Sequence, residues 1–187
     1  IIQKIKNKTF ANLRSHLDKY KKYITSSNAP YGLHRPRNKN FFLEPKIIFK
    51  CMFLKPSFTY DESKYFFGFS FISIITNSST SLKYLLGLLN SKYGFYWFIK
   101  NAKLRGVGFD VTNDLIRNFP IPKINKQNNK FVIKIISIVE KLLLNKDNKQ
   151  TLLDQVDKLI FQLCKLENNQ IIEIETTVSD FLNLHKI

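Results

Sequence analysis

Only five of the chain's 30 cationic residues are arginines: Arg14, Arg35, Arg37, Arg105 and Arg117. A guanidinium is a planar fork of donors that can grip guanine or phosphate through two parallel hydrogen bonds, whereas an ammonium is a point charge. In a chain that uses Lys for most of its positive charge, the Arg positions mark where the fork itself is needed. Arg35 and Arg37 flank Pro36 in the basic segment His34-Arg35-Pro36-Arg37-Asn38-Lys39, and Arg105 precedes Gly106 in Lys103-Leu104-Arg105-Gly106-Val107-Gly108. Both segments read as loops, which suits presentation of a side chain to a groove. Lys19, Lys21, Lys22, Lys39, Lys100 and Lys103 suit phosphate contact, which positions without specifying. Tyr31, His34 and Asn38 suit contact with bases or sugars. The candidate nucleic-acid set is therefore Arg35, Arg37, Lys39, His34, Asn38, Lys103, Arg105, Lys100, Lys21 and Lys22.

Catalytic patterns are missing. There is no glycine-rich phosphate loop and no Ser-His-Asp or Cys-His arrangement in a recognisable context. His16, His34 and His185 are too scattered to suggest a metal site, and no metal is expected. The Asn-Pro-Pro-aromatic loop that holds a flipped adenine is absent. Glu44-Pro45-Lys46 matches half of a metal-dependent nuclease motif, but that chemistry needs a further acid, and the nearest upstream one is Asp18. The expectation for Glu44–Lys46 is a turn entering a strand at Ile47–Ile48.

The formal charge is +16 and the isoelectric point is near 9.8. Such an excess costs folding free energy through self-repulsion and points to a polyanionic partner. The charge is uneven. Residues 1–60 carry 13 Lys/Arg against 2 acids, residues 61–123 carry 8 against 4, and residues 124–187 carry 9 against 8. AT-rich coding bias would favour Lys over Arg, but it would not gather the excess in the first third. Cys51 and Cys164 lie far apart in apolar runs, which fits a reducing cytoplasm. The longest apolar run, Tyr65 to Ile75, is about 11 residues, too short for a membrane-spanning helix, and no membrane partner is expected. The chain opens on Ile1 without a signal-peptide pattern and is expected to be a piece of a longer polypeptide.

Apolar spacing places the elements. Phe10, Leu13, Leu17, Tyr20 and Ile24 predict an amphipathic helix over 8–25. Lys46 to Phe53 reads as one buried strand, and Ser57–Tyr60 and Tyr65–Thr76 as further strands of the same sheet. Ser81 to Ala102 reads as one long helix capped by Ser81, with Tyr93–Phe98 a core stripe rather than a stacking platform. Lys103 to Gly108 reads as a loop, Phe109–Val111 as a short strand, Asn113–Asn118 as a turn or short helix, and Phe119–Pro122 as extended. Three helices follow, over 130–144, 151–166 and 169–184, with balanced charge. The fold expected is mixed α+β: a recognition domain over 1–123 and a helical extension over 124–187.

Four blocks, in order, resemble the TaqI-like C-terminal specificity domain of adenine-specific DNA methyltransferases and of fused type IIG restriction–modification enzymes. They are HRPRNKNFFLEPKIIF, YLLGLLNSKYGFYWF, LRGVGFDVTNDLIRNFPIP and DKLIFQLCKLENNQIIEIE. The resemblance spans residues 8–175. It implies a domain that reads double-stranded DNA while an N-terminal methyltransferase domain of the same polypeptide flips and methylates adenine. S-adenosylmethionine would belong to that other domain, as would magnesium to any fused nuclease, and no catalytic role carries over to this chain. The specificity subunit of a type I system is the near alternative, and a basic interaction domain without sequence-specific binding is the alternative of another class.

Overall fold

The structure, a computed structural model, describes residues 10–23, 38–76, 81–106, 108–144 and 148–186. It divides into two compact units, Ile1–Phe41 and Phe42–Ile187.

In the first unit, helix α1 covers Ala11–Asp18 and is followed by a 3-10 turn at Lys21–Tyr23. The helix expected over 8–25 is thus much shorter. Its turns tighten after Asp18, where Tyr20 N–H donates to Leu17 O at 3.0 Å and Tyr23 N–H to Tyr20 O at 2.9 Å. A helix this short is marginal without a packed face, and none of its residues is buried. A four-residue helix, α2, at Asn40–Leu43 runs across the boundary between the units.

The second unit holds two small antiparallel sheets and six helices among the described residues, so the architecture is mixed α+β. The strands are β1 (Lys46–Lys50), β2 (Met52–Phe53), β3 (Thr59–Asp61), β4 (Phe71–Ile74), β5 (Lys103–Arg105) and β6 (Gly108–Asp110). One sheet has the order β3-β1-β4 and the other β2-β6-β5. The Lys46–Phe53 run is therefore not one strand of one sheet. At Cys51 the chain changes partner: its N–H donates to Ser70 O at 3.0 Å, while its carbonyl accepts from Val111 N–H at 2.9 Å. The two-residue alternation survives the change, and Ile47, Phe49 and Phe53 all reach the core. Within the 65–76 run only Phe71–Ile74 pairs as a strand. The Asp61 carboxylate takes the N–H groups of Ser63 at 3.0 Å and Tyr65 at 3.3 Å, and Lys64 turns left-handed at φ 61°, so the chain leaves the sheet directly after β3.

The long helix expected over 81–102 is two helices, α3 (Leu82–Asn90) and α4 (Lys92–Asn101), meeting at an extended Ser91. Three side chains make this corner. The Ser91 hydroxyl donates to Leu88 O at 2.7 Å and accepts from Gly94 N–H at 3.1 Å, ending one helix and capping the next. The Asn90 amide closes a two-way bridge to the Phe58 backbone, at 3.0 and 2.9 Å. Asp157 accepts from Lys92 N–H at 2.8 Å. Gly94 is required here, because a Cβ would lie 2.4 Å from Leu88 O. Ser81 holds the cap position of α3 but makes no side-chain cap bond.

A short helix α5 (Asn113–Arg117), capped by Thr112, leads to α6 (Asn129–Leu144), α7 (Lys149–Leu163) and α8 (Asn168–His185). Their buried stripes include Ile135 and Val139, Val156 and Ile160, and Val178, and they join one core with Phe49, Phe53, Leu88, Phe98 and Phe109. Tyr93, Tyr96 and Trp97 pack against this core, and Phe95 and Phe98 lie inside it.

Candidate nucleic-acid interface

In the second unit the sequence-singled basic residues gather at the sheet β2-β6-β5. Lys103–Gly108, expected as a loop, is a β-hairpin with its turn at Gly106. Its register sets Lys103 opposite Asp110, Leu104 opposite Phe109 and Arg105 opposite Gly108, and Met52 also faces Asp110. Directly opposed residues share a face. Phe53 and Phe109 thus form the buried face together with half-exposed Leu104, and Lys103, Arg105, Asp110 and Met52 form the outer one. Gly108 has φ 145°, and a Cβ there would lie 2.7 Å from the Phe53 backbone, so the position opposite Arg105 carries no side chain.

Arg105 is 63% exposed, and its Nε lies 3.0 Å from Asp110 Oδ2. Lys103 lies fully on the surface of β5. Lys100, at the end of α4, sits 5.2 Å from the Tyr96 ring centroid and 3.8 Å from Glu173, whose carboxylate also accepts from the Tyr96 hydroxyl at 2.6 Å. Arg117 is exposed and pairs loosely with Asp114 at 3.8 Å.

The remaining candidates belong to the first unit. Lys21 is 3.4 Å from Asp18, and Lys22 lies over the Tyr23 ring at 4.9 Å. Asn38 is exposed, and its Oδ1 accepts from Asn40 N–H at 3.0 Å, at the start of α2. Lys39 is exposed. His34, Arg35 and Arg37 lie outside the described residues, as does Tyr31.

The Glu44-Pro45-Lys46 segment does enter β1 as expected, and Lys46 is fully buried. Its ammonium donates to Phe42 O at 2.8 Å and pairs with Asp61 at 2.5 Å, while Glu44 points to solvent. Burial pushes the Asp61 carboxyl up, but the Lys46 ammonium and the amides of Ser63 and Tyr65 outweigh it and hold the group below the usual carboxylate range. Lys46 is thus committed to a structural pair. Among the described residues no group of His, Cys, Asp and Glu is placed to hold a metal ion, and no helix is long and apolar enough to cross a membrane.

Sequence reasoning missed four residues that organise this region: Asn90, Ser91 and Asp157 at the helix corner, and Asp110 behind Arg105. All four lie in the blocks that carry the family resemblance, Asn90 and Ser91 in YLLGLLNSKYGFYWF, Asp157 in DKLIFQLCKLENNQIIEIE and Asp110 in LRGVGFDVTNDLIRNFPIP, but residue type alone gave none of them a role.

The chain matches the family model of the TaqI-like C-terminal specificity domain over residues 3–121, more than half its length. It belongs to that family. The match runs through α5 and ends just before Pro122, so α6, α7 and α8 lie beyond it, although their side chains complete the core on which the matched strands rest. No curated protein matches the chain significantly. As a TaqI-like specificity domain, the chain serves target recognition in restriction–modification and is not the catalytic part.

Proposed function

We propose that this TaqI-like domain reads the sequence of double-stranded DNA for an adenine-specific methyltransferase of the restriction–modification type. The methyltransferase domain lies N-terminal to it in the same polypeptide, and S-adenosylmethionine and the flipped adenine belong to that domain. The observation that carries this reading is the family match over residues 3–121. The exposed edge strand β5 of the sheet β2-β6-β5 supports it, since it carries Lys103 and Arg105 on the surface, where such cations suit contact with a DNA groove. In this reading Lys21, Lys22, Lys39, Lys100 and Lys103 contact phosphates, while Arg35, Arg37, Arg105, His34 and Asn38 face bases and sugars.

The test is binding of the full-length protein to cognate and unrelated duplexes across a salt series. Arg105→Ala should cost about 1–3 kcal/mol on the cognate duplex and little on unrelated DNA. Lys100→Ala should weaken both equally and flatten the salt slope. Equal loss on both duplexes for Arg105→Ala would reduce that residue to a phosphate contact.

A further inference from the structure

Arg105 is held from behind. Asp110, two residue pairs further along the hairpin, forms an ion pair with Arg105, its Oδ2 3.0 Å from Nε. Among the described residues the guanidinium forms an ion pair with Asp110 and with no other residue, and the side chain is 63% exposed. The residue directly across the hairpin is Gly108, which has no side chain to cover that end of the fork. A free arginine loses rotamer entropy when it is fixed in one pose. A carboxylate on Nε fixes the plane of the guanidinium beforehand and leaves the terminal edge, whose two parallel N–H groups match the O6 and N7 acceptors of guanine.

We propose that Asp110 is the positioning residue that aims Arg105, and that the pair reads a guanine in the major groove, so that the recognised sequence contains a G·C pair beneath the β5–β6 hairpin. This rests on the DNA-reading function proposed above. An ordinary surface ion pair would use the same two residues, but it would affect only stability, and weakly. Positioning also gives Asp110 a cost: its charge repels nearby phosphates, so its removal should not weaken binding to unrelated DNA.

The experiment is selection of bound duplexes from a random-sequence pool by the full-length protein, followed by affinity measurements on the selected site and its single-base variants. Wild type should enrich a motif in which one guanine is preferred over the other bases by about 5- to 150-fold, the range of one bidentate contact. Arg105→Lys keeps the charge but not the fork and should lose that preference at that base alone. Asp110→Ala should lose most of it, with affinity for unrelated DNA unchanged or increased. Asp110→Asn keeps an acceptor for Nε and should retain part of it. A motif whose every base preference survives both Arg105→Lys and Asp110→Ala would overturn the proposal and leave DNA reading intact. So would a melting temperature lowered by Asp110→Ala with base preference unchanged, which is the signature of a structural pair. Failure of wild type to enrich any motif would overturn the DNA-reading function itself, and this inference with it.

Discussion

Each of the two small sheets carries one contact between a cation and a carboxylate on neighbouring strands, and the two contacts have opposite surroundings. Lys46 and Asp61, directly opposed on β1 and β3, are 0% and 5% exposed, and the ammonium is engaged by Asp61 and by the carbonyls of Phe42 and Glu44. Arg105 and Asp110, diagonal on β5 and β6, are 63% and 31% exposed, with Nε 3.0 Å from Oδ2. Burial decides what each charge can do. In the first sheet the pair satisfies itself and has nothing left for a ligand. In the second, the carboxylate pairs with the arginine and the arginine side chain stays largely exposed. Lys46 of the Glu-x-Lys pattern is committed to the fold, in keeping with the turn into a strand expected there, while Arg105, singled out in sequence for groove contact, stands exposed on the hairpin.

Breaking each pair in the same way should separate them sharply. Lys46→Met strands the Asp61 carboxylate in the interior and should destabilise the fold by about 3–5 kcal/mol in urea unfolding. Lys46→Met combined with Asp61→Leu should recover most of that loss, because no charge remains buried. If Lys46→Met cost no more than an exposed pair does, the burial argument would fail.

A third carboxylate sharpens the comparison through pH. Asp157 is as buried as Asp61, but its closest partner is the Lys92 amide rather than a cation. Burial pushes its carboxyl from a usual 3.8 to about 6, against the opposing pull of Lys92. A raised folded-state pKa favours the protonated form, so the contribution of Asp157 is present below the ordinary carboxylate pKa and is lost as pH rises through about 6. For Asp61 the sign is opposite: its lowered pKa gives stability present above the ordinary value and lost as pH falls through the folded-state value. Asp157→Asn keeps the acceptor and should raise stability at pH 7 by about 3 kcal/mol, the equivalent of roughly two pKa units, while removing the decline between pH 4 and 6. An unchanged pH profile in that variant would contradict the assignment.

The smallest expected effect belongs to the exposed pair. Arg105→Ala or Asp110→Ala should change folding stability by less than about 1 kcal/mol. A loss comparable to that of Lys46→Met would make the hairpin pair structural after all.

What could be read from the sequence follows the range of the forces involved. The three C-terminal helices were legible because Val132, Ile135 and Val139, Val156 and Ile160, and Ile174 and Val178 repeat at helical spacing, and one-sided burial depends only on that spacing. The break at Ser91 was not, because the apolar period runs on from Leu85, Leu88 and Leu89 to Phe95 and Phe98 across the corner. The break is made by side chains of Asn90 and Ser91 and by Asp157, 65 residues beyond the Lys92 amide it accepts from. The change of partner at Cys51 is likewise non-local, set by Ser70 on one side and Val111 on the other. The candidate site was legible in Lys103 and Arg105 through residue type alone. The hairpin that displays them, and Asp110 behind Arg105, depend on strand register, which a short glycine-bearing segment does not announce.

Sequence preference in binding tests the central claim most directly. The full-length protein, titrated at one fixed salt concentration with its selected duplex and with unrelated duplex of equal length, should bind the selected site at least about a thousandfold more tightly. Arg105→Ala should remove a factor of about 5 to 150 from that ratio. Equal affinity for both duplexes, falling together as salt rises, would contradict a base-reading domain and leave only a basic surface.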